Sequence, residues 1–333
     1  MESTPEERPE STPKPENTEL MMFSEDIVRL KNEIRKVIIG QDKTIDLMLA
    51  GFLSGGHVLL EGVPGIAKTM IAKTLAKTMS VNFSRIQFTP DMMPTDVTGT
   101  SVYNLQKSEF TFNKGPIFSN FILIDEINRA PAKTQAALFE VMEEKQISID
   151  GITHFLEFPF FVIATQNPIE QEGTYKLPEA QLDRFIFRLL MDYPDLKHEE
   201  EILKRFSEDF NMKTIDSVQP VLTIAKLAAF RKLIEKVPIR EELIQYIAKI
   251  THATRNHGAI FLGASPRASL AILKTAKACA AMQGRDFVTP DDIRKVAEPV
   301  LNHRIIINPD KEMEGYTAAA VIREITQSIE VPR

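Results

Sequence analysis

Residues 62–69 (GVPGIAKT) have the composition of a phosphate-binding loop. An apolar, strand-like run precedes the loop, and helically spaced apolar residues follow it. In a strand–loop–helix of this kind, backbone N–H groups cradle a phosphate, Lys68 contacts the β- and γ-phosphates, and Thr69 supplies a hydroxyl to Mg²⁺. The strict motif has glycine where this chain has Ala67, so an ordinary strand–helix turn with a surface lysine is the alternative at this point.

Two adjacent acids, Asp125 and Glu126, follow a second apolar run (FILI). Carboxylates at the end of a buried strand are costly unless they bind something. In phosphate-loop enzymes the first acid holds Mg²⁺, and the second polarises the water that attacks the γ-phosphate. Another apolar run ends near Asn167, whose amide would lie beside the acids if the two strands are neighbours. A solvated acid pair and an Asn-Pro turn are the alternatives, but the loop and the acids together predict an ATPase that uses ATP and Mg²⁺.

A sheet must position these residues at the ends of its strands. The chain alternates helical patterns with buried apolar runs as far as about residue 191. Such alternation predicts an α/β fold with an open, mainly parallel sheet covered on both faces. Residues 99–116 and 146–159 combine alternating apolar residues with turn formers, which predicts two hairpins outside the sheet. The expected helices are residues 24–37, 42–53, 70–79 and 132–145, and the expected strands are residues 57–60, 84–88, 120–124, 160–165 and 185–191.

From Asp195 onward helical spacing dominates and no convincing strand remains. Helix starts with a cap residue followed by proline occur at Ser265 and Thr289. We therefore expect an acidic, proline-rich, disordered tail over residues 1–22, a nucleotide-binding α/β domain over residues 23–194, and an all-α lid of five or six helices over residues 195–333.

The chain of 333 residues is 43% hydrophobic and 26% charged, as in ordinary globular proteins. Its formal charge is −6, of which residues 1–20 carry −4, so the folded part has no strong basic field for nucleic acid. It has no apolar run of about 18 residues, which predicts no membrane span. The single cysteine, Cys279, excludes an intramolecular disulfide. These features lead us to expect a cytoplasmic protein.

Several motifs together resemble those of the MoxR family of AAA+ ATPases, over about residues 24–330. The resemblance implies an AAA+ domain with two hairpin insertions, placed near the chelatases and other helix-2-insert groups, followed by a helical lid. Alanine before the Walker A lysine is usual in that family. The motifs are residues 62–69, residues 125–130 (DEINRA), residues 164–168 (ATQNP), residues 170–175 (EQEGTY) and residues 177–185 (LPEAQLDRF).

The resemblance also implies roles for individual residues. Lys68 and Thr69 match the Walker A pair, Asp125 matches the magnesium ligand of Walker B, and Glu126 matches the catalytic base. Asn167 matches sensor 1. The nucleotide-binding set implied in this way is Ile38, Ile39 and Gly40 around the adenine, and Gly62, Val63, Pro64, Gly65, Ile66, Ala67, Lys68, Thr69 and Met70 around the phosphates.

Two arginines complete the implied catalytic set. Arg184 matches an arginine finger that reaches the ATP of the neighbouring subunit; a surface ion pair with Asp183 is the alternative, and Arg188 is a competitor for the role. Arg267 matches sensor 2 and would contact nucleotide, unless it is only a surface arginine at a helix start. Arg304 follows the C-terminal end of a later helix, where its positive charge would interact favourably with the helix dipole. A nucleotide or subunit contact is the alternative there.

The expected function is therefore Mg²⁺-dependent ATP hydrolysis by a homo-hexameric ring that remodels or matures a protein client in a chaperone-like manner. The resemblance suggests a von Willebrand factor A domain protein as that client. A helicase-type nucleic-acid motor is a second hypothesis, but residues 146–159 contain no lysine or arginine. A metal-chelatase motor subunit and a non-enzymatic nucleotide switch are further alternatives, and the intact residues Lys68, Asp125 and Glu126 argue against the switch.

Overall fold

The computed structural model describes residues 15–106, 108–168, 174–175, 177–208 and 215–332. Residues 1–14 of the expected tail and residues 170–173 of the family motifs lie outside this part. None of the helices in the described part of the chain is long and apolar enough to cross a membrane.

The α/β part of the chain begins with two helices, and helices then alternate with strands and hairpins. Its elements are α1 (Pro15–Arg35), α2 (Asp42–Leu53), β1 (His57–Gly62), α3 (Lys68–Thr78), β2 (Phe83–Gln87), α4 (Pro94–Thr98), β3 (Gly99–Asn104), β4 (Glu109–Lys114), β5 (Phe121–Asp125), α5 (Ala132–Glu144), β6 (Gln146–Ile149), β7 (Ile152–Phe155), β8 (Phe161–Gln166), α6 (Glu179–Leu182) and β9 (Phe185–Met191).

Five strands form one sheet in the order β2-β5-β8-β1-β9, and every neighbouring pair is parallel. This confirms the expected parallel α/β sheet. Successive side chains of a strand point to opposite faces, so Val58 and Leu60 join one apolar cluster and Leu59 joins another. The first cluster includes α1, α2, α3 and much of the lid, and the second includes α5. Every residue of β1 and β5 is buried, as a sheet covered on both faces requires.

Both expected hairpins are present. The strands β3 and β4 pair antiparallel, as do β6 and β7. Asp150 and Gly151 connect the second pair with φ angles of 51° and 77°, the left-handed conformation that a tight hairpin turn needs. The rings of Phe112 and His154 lie 4.4 Å apart, so the two hairpins contact each other.

The lid is helical, with one difference from the expected all-α domain. Its described elements are α7 (Leu196–Glu208), α8 (Ile224–Lys236), α9 (Glu241–Asn256), β10 (Ile260–Leu262), α10 (Pro266–Met282), α11 (Pro290–Leu301), β11 (Ile306–Ile307), α12 (Pro309–Met313) and α13 (Ala318–Ser328). The strands β10 and β11 form a small antiparallel pair that we did not expect. Strands of three and two residues are too short to show a period of two in the sequence. The described part of the lid has seven helices, against the expected five or six, and one of them is only five residues long.

The N-terminal boundary also differs from the expected disordered tail of residues 1–22. Helix α1 begins at Pro15, and Leu20 and Phe23 are buried in the main apolar cluster. Leu20 lies inside the expected tail, whose polar composition hides this anchor, so composition alone places the start of helix α1 too late.

Candidate active site

The expected phosphate loop lies between β1, which ends at Gly62, and α3, which begins at Lys68. The Lys68 ammonium donates a hydrogen bond of 2.6 Å to the Gly62 carbonyl oxygen across the mouth of the loop. A side chain at Gly62 would not fit, because its Cβ would lie 2.6 Å from both Ile66 Cδ1 and the Met191 carbonyl oxygen. The loop is therefore a tight turn between β1 and α3 that the Lys68 hydrogen bond closes.

Ala67, the departure from the strict motif, has φ 62° and ψ 21°, in the left-handed region. This explains why glycine suits the position, since the left-handed conformation costs a residue with a Cβ roughly 1–2 kcal/mol in conformational free energy. Thr69 follows in the first turn of α3 and is half-buried. The helix start thus places its N-terminal N–H groups at the end of the loop.

Asp125 is the last residue of β5, and its carboxylate is buried. Arg85 Nε donates to one carboxylate oxygen at 2.6 Å, and Thr165 Oγ1 donates to the other at 3.1 Å. The same Thr165 oxygen accepts the Glu126 backbone N–H at 3.0 Å. One buried hydroxyl on β8 therefore ties the two acids to each other and to the neighbouring strand. From the sequence we did not identify Thr165 as a site residue, although it stands two positions before Asn167.

Glu126 has φ 57° and ψ 52°, a left-handed conformation that is uncommon for a residue with a side chain. Its carboxylate accepts a hydrogen bond of 2.9 Å from Gln87 Nε2 and pairs with Arg129 Nε at 2.8 Å. Backbone conformations of this kind cost of order 1–3 kcal/mol and cluster at functional sites. The turn separates the half-exposed Glu126 carboxylate from the buried Asp125 carboxylate.

Asn167 follows β8, which lies between β5 and β1 in the sheet. Parallel strands end at the same edge of a sheet, so Asn167, the two acids and the phosphate loop share one edge. The register supports this arrangement, since Ala164 is level with Ile124 of β5 and Gln166 is level with Glu61 of β1. The structure thus brings these four sequence-predicted features together.

The expected adenine segment, residues 38–40, lies near the same edge. Gly40 has φ 76° and packs against the His198 ring, where an added Cβ would lie 2.9 Å from Cγ. Gln41 Nε2 donates to the Asp192 carbonyl oxygen at 3.3 Å, which fastens the segment to the chain just after β9. Gly40, Gln41 and His198 line an open cleft of about 520 Å³.

Arg184 and Arg267 lie at the other end of the strands. Arg184 precedes β9, and the first residue of β9 pairs with His57, the first residue of β1. Since β1 has six residues, its two ends are roughly 17 Å apart at about 3.3 Å per residue. Arg184 Nε donates to Glu143 Oε2 at 2.9 Å, and Arg267 Nη2 donates to Glu143 Oε1 at 3.3 Å.

Arg267 lies beside Arg184, because α10 starts next to the beginning of β9, and its contact with nucleotide stays a prediction. The alternative ion pair between Arg184 and Asp183 is wrong, since Arg184 pairs with Glu143 and Asp183 pairs with Arg304.

Arg188, the competitor for the finger role, pairs with Glu61 of the same chain. Arg188 Nη2 and Glu61 Oε2 are 2.6 Å apart, and both side chains are largely buried between neighbouring strands. Arg184 is also ion-paired, but its partner Glu143 is 40% exposed whereas Glu61 is 10% exposed; the choice of Arg184 as the finger stays a prediction.

Beneath the site, His57 joins three elements. Its Nδ1 accepts the Val162 N–H of β8 at 3.0 Å, and its Nε2 lies 3.2 Å from the Met142 carbonyl oxygen of α5. Complete burial, helped by the positive charges of Lys145 and Arg231 and opposed by the hydrogen bond to the Met142 carbonyl, lowers the pKa of His57 to about 4. The ring is therefore neutral, with its proton on Nε2.

Comparison with known proteins gives a consistent picture. Residues 57–187 match the model of the ATPase family associated with various cellular activities (AAA), and residues 252–325 match the AAA lid domain. The chain is 42% identical to Chaperone MoxR1 of Mycobacterium tuberculosis, over 90% of this chain and 81% of that protein. It is 44% identical to protein YeaC of Bacillus subtilis, over 94% of this chain and 98% of that protein.

Among solved structures, the fold is similar to a crystal structure of an ATPase candidate from Cytophaga hutchinsonii. The TM-score is 0.88 at 44% identity, and the match covers 95% of this chain and 98% of that chain. The two folds therefore agree over both the α/β part and the lid.

Proposed function

This chain belongs to the MoxR family of AAA+ ATPases, and from that premise we propose that it hydrolyses ATP with Mg²⁺ in a ring of identical subunits to remodel a protein client. The observation that carries the proposal is the shared sheet edge, where the phosphate loop, both acids and Asn167 meet. The two-domain division at about residue 194 belongs to the same proposal.

Mg²⁺ prefers oxygen ligands, and the site offers the Asp125 carboxylate and the Thr69 hydroxyl. These donors fit a hard cation, and the Asp125 carboxylate is already oriented by hydrogen bonds to both of its oxygens. When bound, Mg²⁺ would neutralise charge on the phosphates. Lys68 adds a positive charge on the loop side, where it would exchange its bond to the Gly62 carbonyl for one to a phosphate oxygen.

Glu126 is our proposed base. Its carboxylate is half-exposed at the sheet edge, within hydrogen-bond distance of Gln87, and can accept a hydrogen bond from the attacking water. Asn167 directly follows the strand between the acids and the loop, where a neutral amide can orient that water or touch the γ-phosphate without adding charge. The protein thus positions water and phosphate by hydrogen bonds and forms no covalent bond to either.

The positions of Arg184 and Arg267 favour an assembly in which neighbouring subunits share a site. Because Arg184 and Arg267 lie roughly 17 Å along the strands from the phosphate loop of their own chain, we propose that both act on the ATP of a neighbouring subunit. Glu143 now holds the two guanidinium groups close together, as a phosphate would. An arginine supplied in this way contributes roughly 10³–10⁵ in rate in comparable systems. A closed ring, with six subunits as our specific proposal, gives every site such a neighbour.

The hairpins favour a protein client over nucleic acid. Large apolar side chains are exposed on both hairpins, which is a feature of protein-binding surfaces. The second hairpin carries no lysine or arginine that could contact phosphates. The exposed residues are Val102, Tyr103, Leu105 and Phe110 on the first hairpin, and Ile152 and Phe155 on the second. A von Willebrand factor A domain protein remains our proposal for the client.

Mixing two inactive variants tests the shared site. Arg184→Ala subunits keep their own phosphate loop, and Lys68→Ala subunits keep their arginines. We expect each variant alone to lose most ATP turnover and an equimolar mixture to recover part of it, because some interfaces then combine intact halves. A mixture that is no more active than the sum of its components would contradict the shared site, and sedimentation would show whether the mixed ring had formed.

A further inference from the structure

Arg304 of the lid makes an unusually complete set of hydrogen bonds at the start of β9. Its side chain is 4% exposed. Nε donates to Asp183 Oδ1 at 2.6 Å, and Nη2 donates to the carbonyl oxygens of Asp183 at 3.0 Å and Phe185 at 2.7 Å. Nη1 donates to the carbonyl oxygens of Ile186 at 3.2 Å and Val300 at 2.6 Å. All five guanidinium N–H groups therefore have an acceptor.

These acceptors surround Arg184. Asp183 and Phe185 are its two chain neighbours, so the backbone is held immediately before and immediately after it. The Phe185 carbonyl oxygen also accepts a hydrogen bond of 2.9 Å from His303 Nε2. Two consecutive lid residues thus fix the short segment from which Arg184 projects.

The Asp183 carboxylate, which pairs with Arg304, also faces Arg267. The second oxygen of Asp183 lies 3.5 Å from Ser265 Oγ, at the start of α10, and 4.0 Å from Arg267 Nη1. Asp183 therefore links three points: the segment around Arg184, the start of α10 and the end of α11. Charged partners in a buried pair are strongly held in place, because removing one leaves the other uncompensated.

We propose that Arg304 is a positioning residue that sets the geometry of both Arg184 and Arg267, so that the lid and the two arginines move as one body. The proposal rests on the role proposed above for these arginines in the neighbouring subunit's site. A change in lid orientation in one subunit would then alter ATP hydrolysis in the next, through hydrogen bonds to the main chain around Arg184.

The test uses Arg304→Lys, which keeps the charge but loses the planar fork that reaches several carbonyl oxygens at once. A second variant, Asp183→Asn, removes the carboxylate from the other side of the pair. Each variant would be assayed for ATP turnover alone, mixed with Lys68→Ala subunits, and mixed with Arg184→Ala subunits. The variants keep an intact site for their own ATP, and Lys68→Ala subunits keep intact arginines.

We expect each variant alone to lose at least tenfold in turnover. Mixing with Lys68→Ala should restore about one quarter of wild-type turnover per subunit, since random assembly pairs an intact site with intact arginines at about one interface in four. Mixing with Arg184→Ala should restore nothing, because no interface then has a complete set of arginines. A general loss of structure would not produce this one-sided rescue.

Wild-type turnover in the variants alone would overturn the proposal, as would inactivity in both mixtures. Failure of the shared site itself is distinguishable, because then Arg184→Ala and Lys68→Ala would not complement each other either. Lys226→Gln is the matched control: Lys226 also joins the lid to a buried core carboxylate, pairing with Asp26 at 2.8 Å, but away from these arginines. Its turnover should stay within about twofold of wild type, because Lys226 is half-exposed and the Asp26 carboxylate keeps its second partner, Arg29.

Discussion

Replacing Thr165 by valine tests whether one hydroxyl holds the two acids in place. Valine keeps the branched shape of the side chain and removes only the atom that bonds Asp125 and Glu126. The Glu126 N–H would lose its acceptor at about 1–3 kcal/mol, and the Asp125 carboxylate would lose a bond worth about 1.5–3 kcal/mol. Because valine recovers some apolar burial, we expect the free energy of unfolding to fall by about 2–4 kcal/mol.

The effect on turnover should be larger than this loss of stability suggests. The Thr165 hydroxyl fixes the Glu126 backbone in its left-handed turn, so its removal lets both carboxylates shift. A displacement of about 1 Å at a catalytic group costs about 10² in rate. We therefore expect ATP turnover to fall about 100-fold under conditions where the variant is still folded.

The assay is steady-state ATP turnover together with denaturant unfolding, for Thr165→Val and Thr165→Ser. Serine retains the hydroxyl, so its turnover should stay within about tenfold of wild type, as one kept hydrogen-bond group predicts. If Thr165→Val loses stability but keeps wild-type turnover, the hydroxyl serves the fold and not the site. If serine and valine behave alike, the loss comes from packing and the reasoning is wrong.

Two further predictions concern the same sheet. Gly62→Ala should weaken binding of a fluorescent ATP analogue at least about tenfold, since its Cβ would meet Ile66 and the Met191 carbonyl oxygen and the loop must shift. Gly258→Ala is the control, because its Cβ would meet nothing within 4 Å. Equal binding by both variants would contradict the loop geometry. His57 should make stability depend on pH: its pKa is about 4 when folded and 6.5 in its ordinary state, so the unfolded chain takes up the proton first as the pH falls. The stabilisation is complete above pH 6.5 and is lost progressively toward pH 4, by about 3 kcal/mol in total. Urea unfolding of the wild type and His57→Phe checks this, and equal pH profiles of the two would contradict it.

Local chemistry was the part of the site that the sequence could predict. The phosphate loop, the acids and Asn167 each follow an apolar run, and parallel strands necessarily bring such ends to one edge. Their relative placement needed only the assumption that the strands are neighbours, and the strand order confirms it.

Residues that act through strand register were missed. Gln87 has no distinctive neighbours in sequence, and Thr165 lies inside the motif of residues 164–168 without a signal of its own. Their contacts with the acids exist only because β8 and β2 flank β5. The position of Arg267 relative to the sheet could not be predicted either, because it depends on how the lid packs. Its position at a helix start was predictable, but the side of the sheet on which α10 begins depends on how the lid packs, and that placement separates Arg267 from Lys68.

The ATP turnover per subunit, measured as a function of protein concentration, tests most directly the claim that two neighbouring subunits build each site. The account predicts that turnover per subunit rises steeply as the ring assembles, and that Glu126→Gln abolishes it at every concentration while the ring still forms. Constant turnover per subunit down to concentrations where sedimentation shows only monomers would contradict the claim, as would undiminished turnover in Glu126→Gln.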